Sequence, residues 1–333
     1  MIKKAITTHL KWQFFSLFCL LCLSACKQES HPYSFYYWRT NLTLNNAEHQ
    51  ALQNADDKLY VRYFDVDKRA GKFQALASVV KQQSFVIDKQ IVPVVFITNR
   101  TFLYITDKEI NQLAQKIADT IEKKSQRFGL NTANEIQIDC DWTAGTREDY
   151  FKFLKILQKI TDKEISVTLR LHQVKFKNKT GIPPVNKVFL MCYSTSSPLK
   201  NSDKNSILDV ALLKNYLQNI DDYPIDNITV ALPIYSWGIV TNHLGKHKLI
   251  NALNKQSLEN KNFKKLGNNE VEVLQDNFYF GFFLNKGFRI KVEEISPQQL
   301  QQVVDFLNKK IGKYDIIYYH LDSSFVDGRE LSL

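Results

Sequence analysis

Short runs rich in Val, Ile, Phe and Tyr alternate along this chain with stretches in which apolar residues recur every three or four positions, a pattern of strand followed by helix. The strand-like runs are Ser34 to Thr40, Lys58 to Asp67, Ile91 to Arg100, Glu135 to Trp142, Ile165 to Val174, Lys187 to Ser194, Asn227 to Trp237 and Tyr314 to Asp322. Several helical stripes carry start signals. Thr106 stands three before Glu109 and opens Ile110, Leu113, Ala114, Ile117 and Ile121, while Thr146 stands three before Asp149 and opens Tyr150, Phe151, Leu154, Leu157 and Ile160. Ser296-Pro297 precedes Leu300, Val303, Val304 and Leu307 in the same way. Eight alternating units predict an α/β fold closed into a (β/α)8 TIM barrel, and no glycine-rich first turn supports a doubly wound dinucleotide-binding sheet.

The alternation breaks between about residue 239 and 294, where a Lys- and Asn-rich stretch leads into Phe278–Leu284, Asn285-Lys-Gly287 and Phe288–Val292. That segment predicts an insertion after the seventh strand containing a hairpin turned at Asn285-Lys-Gly287. At the other end of the chain, Lys3, Lys4 and Lys11 precede the apolar run Trp12–Ala25. The run is shorter than the ~18 to 20 residues of a spanning helix, so residues 1–25 are expected to be a signal peptide. Leu23-Ser24-Ala25-Cys26 resembles the lipobox of bacterial lipoproteins, which implies that Cys26 is acylated, as by palmitate, after cleavage. Residues 26–33 then form a lipidated tether and 34–333 the barrel domain. Lys27, rather than an aspartate, after the cysteine points to the outer membrane of a bacterial envelope.

Composition narrows the field. With 44% hydrophobic residues, 11 Gly and 8 Pro in 333 residues, the chain is neither disordered nor collagen-like. Its formal charge is +10, and the first 25 residues carry three lysines and no acid, so the remainder keeps +7. Lys246, Lys248, Lys255, Lys261, Lys264 and Lys265 supply much of that excess, as a solvated loop or a surface for acidic glycans or anionic headgroups; nucleic acid is not an expected partner of an exported protein. Of five cysteines, Cys19 and Cys22 leave with the signal peptide and Cys26 is the lipid site, leaving Cys140 and Cys192 as buried thiols. The chain has no paired-cysteine, HExxH, G-x-S-x-G or phosphate-loop signature, and neither a metal nor a cofactor is expected.

In a barrel of this kind chemistry gathers at the C-terminal ends of the strands. Those ends offer Arg39, then Asp65 and Asp67, Asn99 and Arg100, Asp139 and Asp141, Arg170 and His172, Tyr193 and Ser194, Tyr235 and Trp237, and lastly His320 and Asp322. Charged groups inside a barrel cost several kcal/mol unless paired or wet, so their concentration suggests a site. Asp139 and Asp141, two apart on a strand, point to one side with Cα atoms roughly 6.6 Å apart, close enough to raise each other's pKa. The alternative is that they anchor Arg170 or Arg39 in an ion pair or cap a helix. Arg170, set among apolar neighbours, calls for a carboxylate partner, Asp139 or Asp141. A metal site of Asp139, Asp141 and a histidine, with deacetylase-like chemistry, is a third possibility.

Ile138-Asp-Cys-Asp-Trp-Thr143 resembles the fourth-strand D-x-D-x-E signature of family 18 glycoside hydrolases, the chitinase-like barrels. Phe189-Leu-Met-Cys-Tyr193 resembles the sixth-strand M-x-Y of that family, Val230–Trp237 its seventh-strand segment and Ile317–Asp322 its aromatic eighth strand. The resemblance implies a site in which Asp139 tunes Asp141, Asp141 orients a substrate acetamido group and Tyr193 hydrogen-bonds it. It also exposes a departure: Thr143 stands where the family has its acid, and a threonine hydroxyl does not protonate a glycosidic oxygen. Two readings follow. In one, a glycan hydrolase uses a relocated acid, Asp141, His172, Asp322 or His320, with Arg39, Trp142, Arg170, Tyr235 and Trp237 holding sugar. In the other, the cleft binds glycan without cleaving it, or the lipoprotein is an envelope scaffold.

Overall fold

The computed structural model describes residues 31–200, 203–267 and 269–331. The expected signal peptide, the Cys26 acylation site and most of the tether lie outside the described residues. Strands β1 (Tyr33–Tyr37), β2 (Lys58–Arg69), β3 (Gln90–Ile97), β4 (Glu135–Asp139), β5 (Glu164–Arg170), β6 (Lys187–Met191), β7 (Asn227–Pro233) and β8 (Asp315–Tyr319) pair in parallel, each with its neighbours in sequence. β1 closes the sheet, pairing Phe35 with both Leu59 of β2 and Tyr318 of β8. The result is the expected closed parallel barrel. Residues 32–331 make one compact unit that carries every strand of this barrel and its apolar core, which is what a domain needs to fold alone.

Alternate residues of the strands face helices or the barrel interior. On β4, Ile136 and Ile138 join the buried apolar shell, whereas Glu135, Gln137 and Asp139 hydrogen-bond to other strands. Glu135 accepts from Lys58, Lys187 and Ser166; Tyr36 donates to Gln137 Oε1 at 2.7 Å; Thr168 donates to Asp139 Oδ1 at 2.7 Å. The interior is therefore a paired polar and aromatic network, with Tyr60 against Phe189 at 4.9 Å, rather than the usual layers of Val, Ile and Leu. Such burial is tolerable because each of these carboxylates has partners.

Helices α1 (Asn46–Gln53), α2 (Asp107–Phe128), α3 (Arg147–Thr161), α4 (Leu171–Lys175), α5 (Val210–Tyr216), α6 (Pro297–Asn308) and α7 (Ser323–Val326) follow the strands. Thr106 and Ser296 make the reciprocal caps that the sequence predicts. Thr146 does not: its hydroxyl turns away from the α3 backbone and donates to Asn99 Oδ1 at 2.6 Å. The strict alternation also fails once. No helix lies between β2 and β3 among the described residues; β2 instead runs into an antiparallel pairing with Lys72–Leu76.

Two further expectations are corrected. The fifth strand ends at Arg170, and the chain turns at once into α4, so His172 sits on a helix and not at a strand end. After β7, an antiparallel sheet runs in the order His247–Asn251, Trp237–Thr241, Arg289–Glu293, Glu270–Val273, Phe263–Gly267, around its own core of Val240, Ile250, Phe263, Val273 and Ile290. A separate two-stranded hairpin of the insertion pairs Asn277–Tyr279 with Phe282–Leu284 and turns at Phe280-Gly281. Asn285-Lys-Gly287 connects Phe278–Leu284 to Phe288–Val292 without turning them into a pair; Arg289–Glu293 pairs with two other strands.

Candidate functional site

A cleft of about 730 Å³ opens at the C-terminal ends of the strands, within the roughly 300–1,000 Å³ typical of ligand sites. Its lining includes Arg39, Asp139, Asp141, Arg170, Tyr193, Ser194, Tyr235, Trp237, His320 and Asp322, all expected from sequence, together with Trp38, Arg62, Asn251 and Tyr319. The insertion thus contributes Trp237 and Asn251 to the wall.

Asp141 leaves β4 just beyond the barrel rim and meets the last residue of β5. Arg170 Nε lies 2.7 Å from Asp141 Oδ1, and Nη2 donates to Oδ2 at 3.1 Å, a two-point contact that fixes both planes. Arg170's carboxylate partner is therefore Asp141. The pair is wet, with the Asp141 side chain 42% exposed. Asp139, two residues earlier, is nearly shut off from solvent and holds Thr168. Burial, reinforced by the neighbouring Asp141 charge, pushes its carboxyl up to about 6.

A second guanidinium arrives by a bulge. An irregularity in the β2–β3 register between Arg62 and Phe64 adds one residue, so Arg62 and Asp65, three apart, share the inner face and pair through both Nε and Nη2. The third, Arg39, follows β1. Its Nη2 sits 2.8 Å from the fully buried Glu48, Nη1 lies 3.6 Å from Asp322, and its plane covers Tyr37 at 4.7 Å. Glu48 also accepts the backbone N–H of Asn45 and of Ser323, so one carboxylate ties the loop after β1 to the loop after β8.

Aromatic rings make the other wall. Trp38 and Tyr235 pack against Tyr319 at 5.6 Å each, and Tyr235 meets Trp237 at 5.2 Å. Trp237 is held by its indole N–H, which donates to Glu293 at 2.9 Å.

Several expected roles do not survive this geometry. Trp142 has no exposed surface, stacks on Tyr150 at 5.2 Å and donates its indole N–H to Thr180, so it packs β4 against the helices and cannot stack on a sugar. His172, on α4, does not line the cleft. Its imidazole and that of His320 are pushed down by burial, His320 to about 4, so His320 is neutral at pH 7 and is no proton donor there. Asp322 accepts the N–H of Ser324 as cap of α7 and faces Arg39. Among the described residues no group of His, Cys, Asp or Glu is arranged to hold a metal ion, so the two aspartates lack the third donor that a deacetylase-like centre needs. Cys140 and Cys192 are free and buried.

Tyr193 lies in the lining, but its hydroxyl is sealed from solvent and has no hydrogen-bond partner among the described residues, with Tyr319 packed on its ring at 5.1 Å. An orphaned buried hydroxyl costs about 1–3 kcal/mol. Tyr193→Phe should accordingly leave stability unchanged or raise it by about 1 kcal/mol, read from the urea midpoint. A loss larger than that would mean the hydroxyl has a partner.

The barrel has solved counterparts. Over 87% of this chain and 71% of its own, the Bacillus cereus spore cortex-lytic enzyme SleL superposes with a TM-score of 0.52 at 15% sequence identity. The C-terminal domain of a chitinase-type protein from Desulfitobacterium hafniense gives 0.55 at 12% over 90% and 95%, and the chitinase Chi1 of the Yersinia entomophaga toxin complex gives 0.51 at 10% over 89% and 83%. The fold is that of the chitinase-like barrels. At these identities the likeness extends to the fold alone. No family model matches the sequence, and no curated protein matches it.

Within that chitinase-like frame, sequence reasoning missed Trp38, Arg62, Asn251 and Tyr319. Arg62 carried the same signal as Arg170, a guanidinium inside an apolar strand, and Trp38 adjoins Arg39 where β1 ends. Tyr319 gave no such signal, because an aromatic in a run of aromatics is indistinguishable from core.

Proposed function

We propose that the cleft binds a glycan bearing N-acetyl groups and holds it without hydrolysis, in a lipoprotein tethered by acylated Cys26 to the outer membrane of a bacterial envelope. The observation that carries the reading is the half-exposed Asp141–Arg170 fork facing the rings of Trp38, Tyr235, Trp237 and Tyr319. A planar, fixed acceptor–donor pair suits the amide and adjacent hydroxyls of a sugar, and flat rings suit its apolar face. A spore cortex-lytic enzyme and chitinases among the structural neighbours favour that ligand class.

Hydrolysis by the substrate-assisted route needs a protonated group beside the leaving oxygen. Thr143, in the position where the resembling family has glutamate, is exposed, and its hydroxyl meets that of Thr146 at 3.3 Å. One observation favours catalysis at lower pH: Asp139 keeps its proton up to about 6. Its burial beneath the rim and its bond to Thr168 make it a poor donor to an incoming bond.

The test is a glycan array followed by calorimetry on N-acetylated oligosaccharides, with reducing-end release followed from pH 4 to 8. Binding with no release is the expected result. Release that rises below pH 6 would assign an enzyme, and an absence of binding across N-acetylated glycans would overturn the reading.

A further inference from the structure

On the insertion, away from the cleft, the Asn277–Leu284 hairpin carries two large rings into water. Phe278 is 73% exposed and Phe283 52%, facing each other across the hairpin at 5.3 Å. Folding does not require them there. Tyr279 and Leu284, on the opposite face, anchor the hairpin against Phe263 and the small core. Close by, Leu244 at the turn after Trp237–Thr241 is 78% exposed. Two contacts tie the turn that carries Leu244 to the hairpin and the chain after it: Lys248 lies 3.6 Å from the ring centre of Phe282, on the face opposite Phe278 and Phe283, and His243 packs on Phe288 at 5.0 Å. Lys246, Lys248 and Lys286 are exposed around it. Residues 237–293 hold nine Lys and Arg against five Asp and Glu, so the apolar tip stands in a positive field.

We propose that this hairpin docks on a lipid surface bearing anionic headgroups. Phe278, Phe283 and Leu244 enter the boundary between headgroup and acyl chain, and Lys246, Lys248 and Lys286 meet the headgroups, the division of labour expected of an interfacial element. The occupant follows from the geometry. A polysaccharide strand needs coplanar rings, whereas Phe278 and Phe283 cross at 70° and Phe280 already stacks on Phe263 at 16°. A protein partner would leave lysine depleted around the patch, and here Lys246, Lys248 and Lys286 are exposed on the turn and the chain flanking the hairpin. Because Trp237–Thr241 and His247–Asn251, in the larger sheet of the same insertion, supply Trp237 and Asn251 to the cleft wall, docking would hold the cleft beside the membrane independently of any acyl group.

Residues 32–331, which lack the apolar N-terminal run, provide the test. They should co-sediment with vesicles of phosphatidylethanolamine and phosphatidylglycerol at 3:1 in low salt and stay in the supernatant with phosphatidylcholine alone. Phe278→Ser combined with Phe283→Ser should weaken that binding at least about tenfold. Lys248→Glu with Lys286→Glu should weaken it by about the same factor. Both pairs are exposed, so an unchanged thermal midpoint checks the fold. Equal binding to both vesicle types, binding that survives either double change, or no binding at all would overturn the proposal. Concentration-dependent dimerisation abolished by the phenylalanine changes would give the patch to a second copy and overturn it equally.

Discussion

Asp139→Asn should stabilise the protein at pH 8 by about 3 kcal/mol and leave it unchanged at pH 4. The carboxyl titrates at about 6 in the folded chain, for burial and then for the Asp141 charge, against about 3.9 when unfolded. Between those values the folded state binds the extra proton, so stability falls as pH rises from 4 to 6 and the loss is complete above 6. Asparagine carries no charge to bury, and its side-chain oxygen still accepts the Thr168 hydroxyl. Urea unfolding of both proteins at pH 4, 6 and 8 would trace the difference. A variant less stable than wild type at pH 8, with a gap that does not change with pH, would show that the carboxylate is a net support of the fold. If the expected result appears, the chain carries a carboxylate that weakens it at neutral pH, as charged groups placed at a ligand site do.

The barrel was legible because its strands and helices have different periods and because eight units of that kind close in few ways. Element ends were less so. Strand-like apolar character continues through Leu171 and Val174, yet the chain coils into α4 there, since the α4 backbone is as compatible with those side chains as a strand is once the barrel rim has been passed. The polar interior was hidden for a related reason: Glu135, Gln137 and Asp139 alternate with isoleucine and cysteine, which reads equally well as a surface strand or as a strand with a network beneath it. Only the partners on β1, β2, β5 and β6 decide, and these are distant in sequence.

At the site, charge was the legible part. Asp139, Asp141, Arg39, Arg170 and Asp322 converge because a charged group in an apolar strand has few places to go. Aromatic residues were not separable by the same logic. Trp142 and Trp237 each close a strand-like run in the sequence, but Trp142 lies at an outward position of the chain leaving β4 and is packed under Tyr150, whereas Trp237 opens the insertion and is held by Glu293 in the cleft wall. Burial of Tyr193 beneath Tyr319 likewise depends on β8, more than a hundred residues away in the chain.

The second large effect belongs to Asp141. Asp141→Asn should reduce affinity for an N-acetylated oligosaccharide roughly tenfold to hundredfold, the cost of losing a hydrogen bond to a charged acceptor, about 1.5–3 kcal/mol. Stability should change by only about 0–1 kcal/mol, because the Asp141–Arg170 pair is half in water and exposed pairs contribute little to folding. The two readouts separate a ligand-binding role from a structural one. Arg170→Lys makes the complementary test: lysine keeps the charge but not the two-point contact, so a binding site that uses the fork should lose affinity in this variant as well. Calorimetry of the two variants, beside their urea midpoints, gives the answer. Affinity unchanged in both would mean that the fork faces no ligand, and a large loss of stability with a proportionate loss of binding would make it a strut for the β4 and β5 loops. Affinity lost with the fold intact would leave Asp141 as the acceptor around which the sugar is oriented, with its partner Arg170 holding it in place.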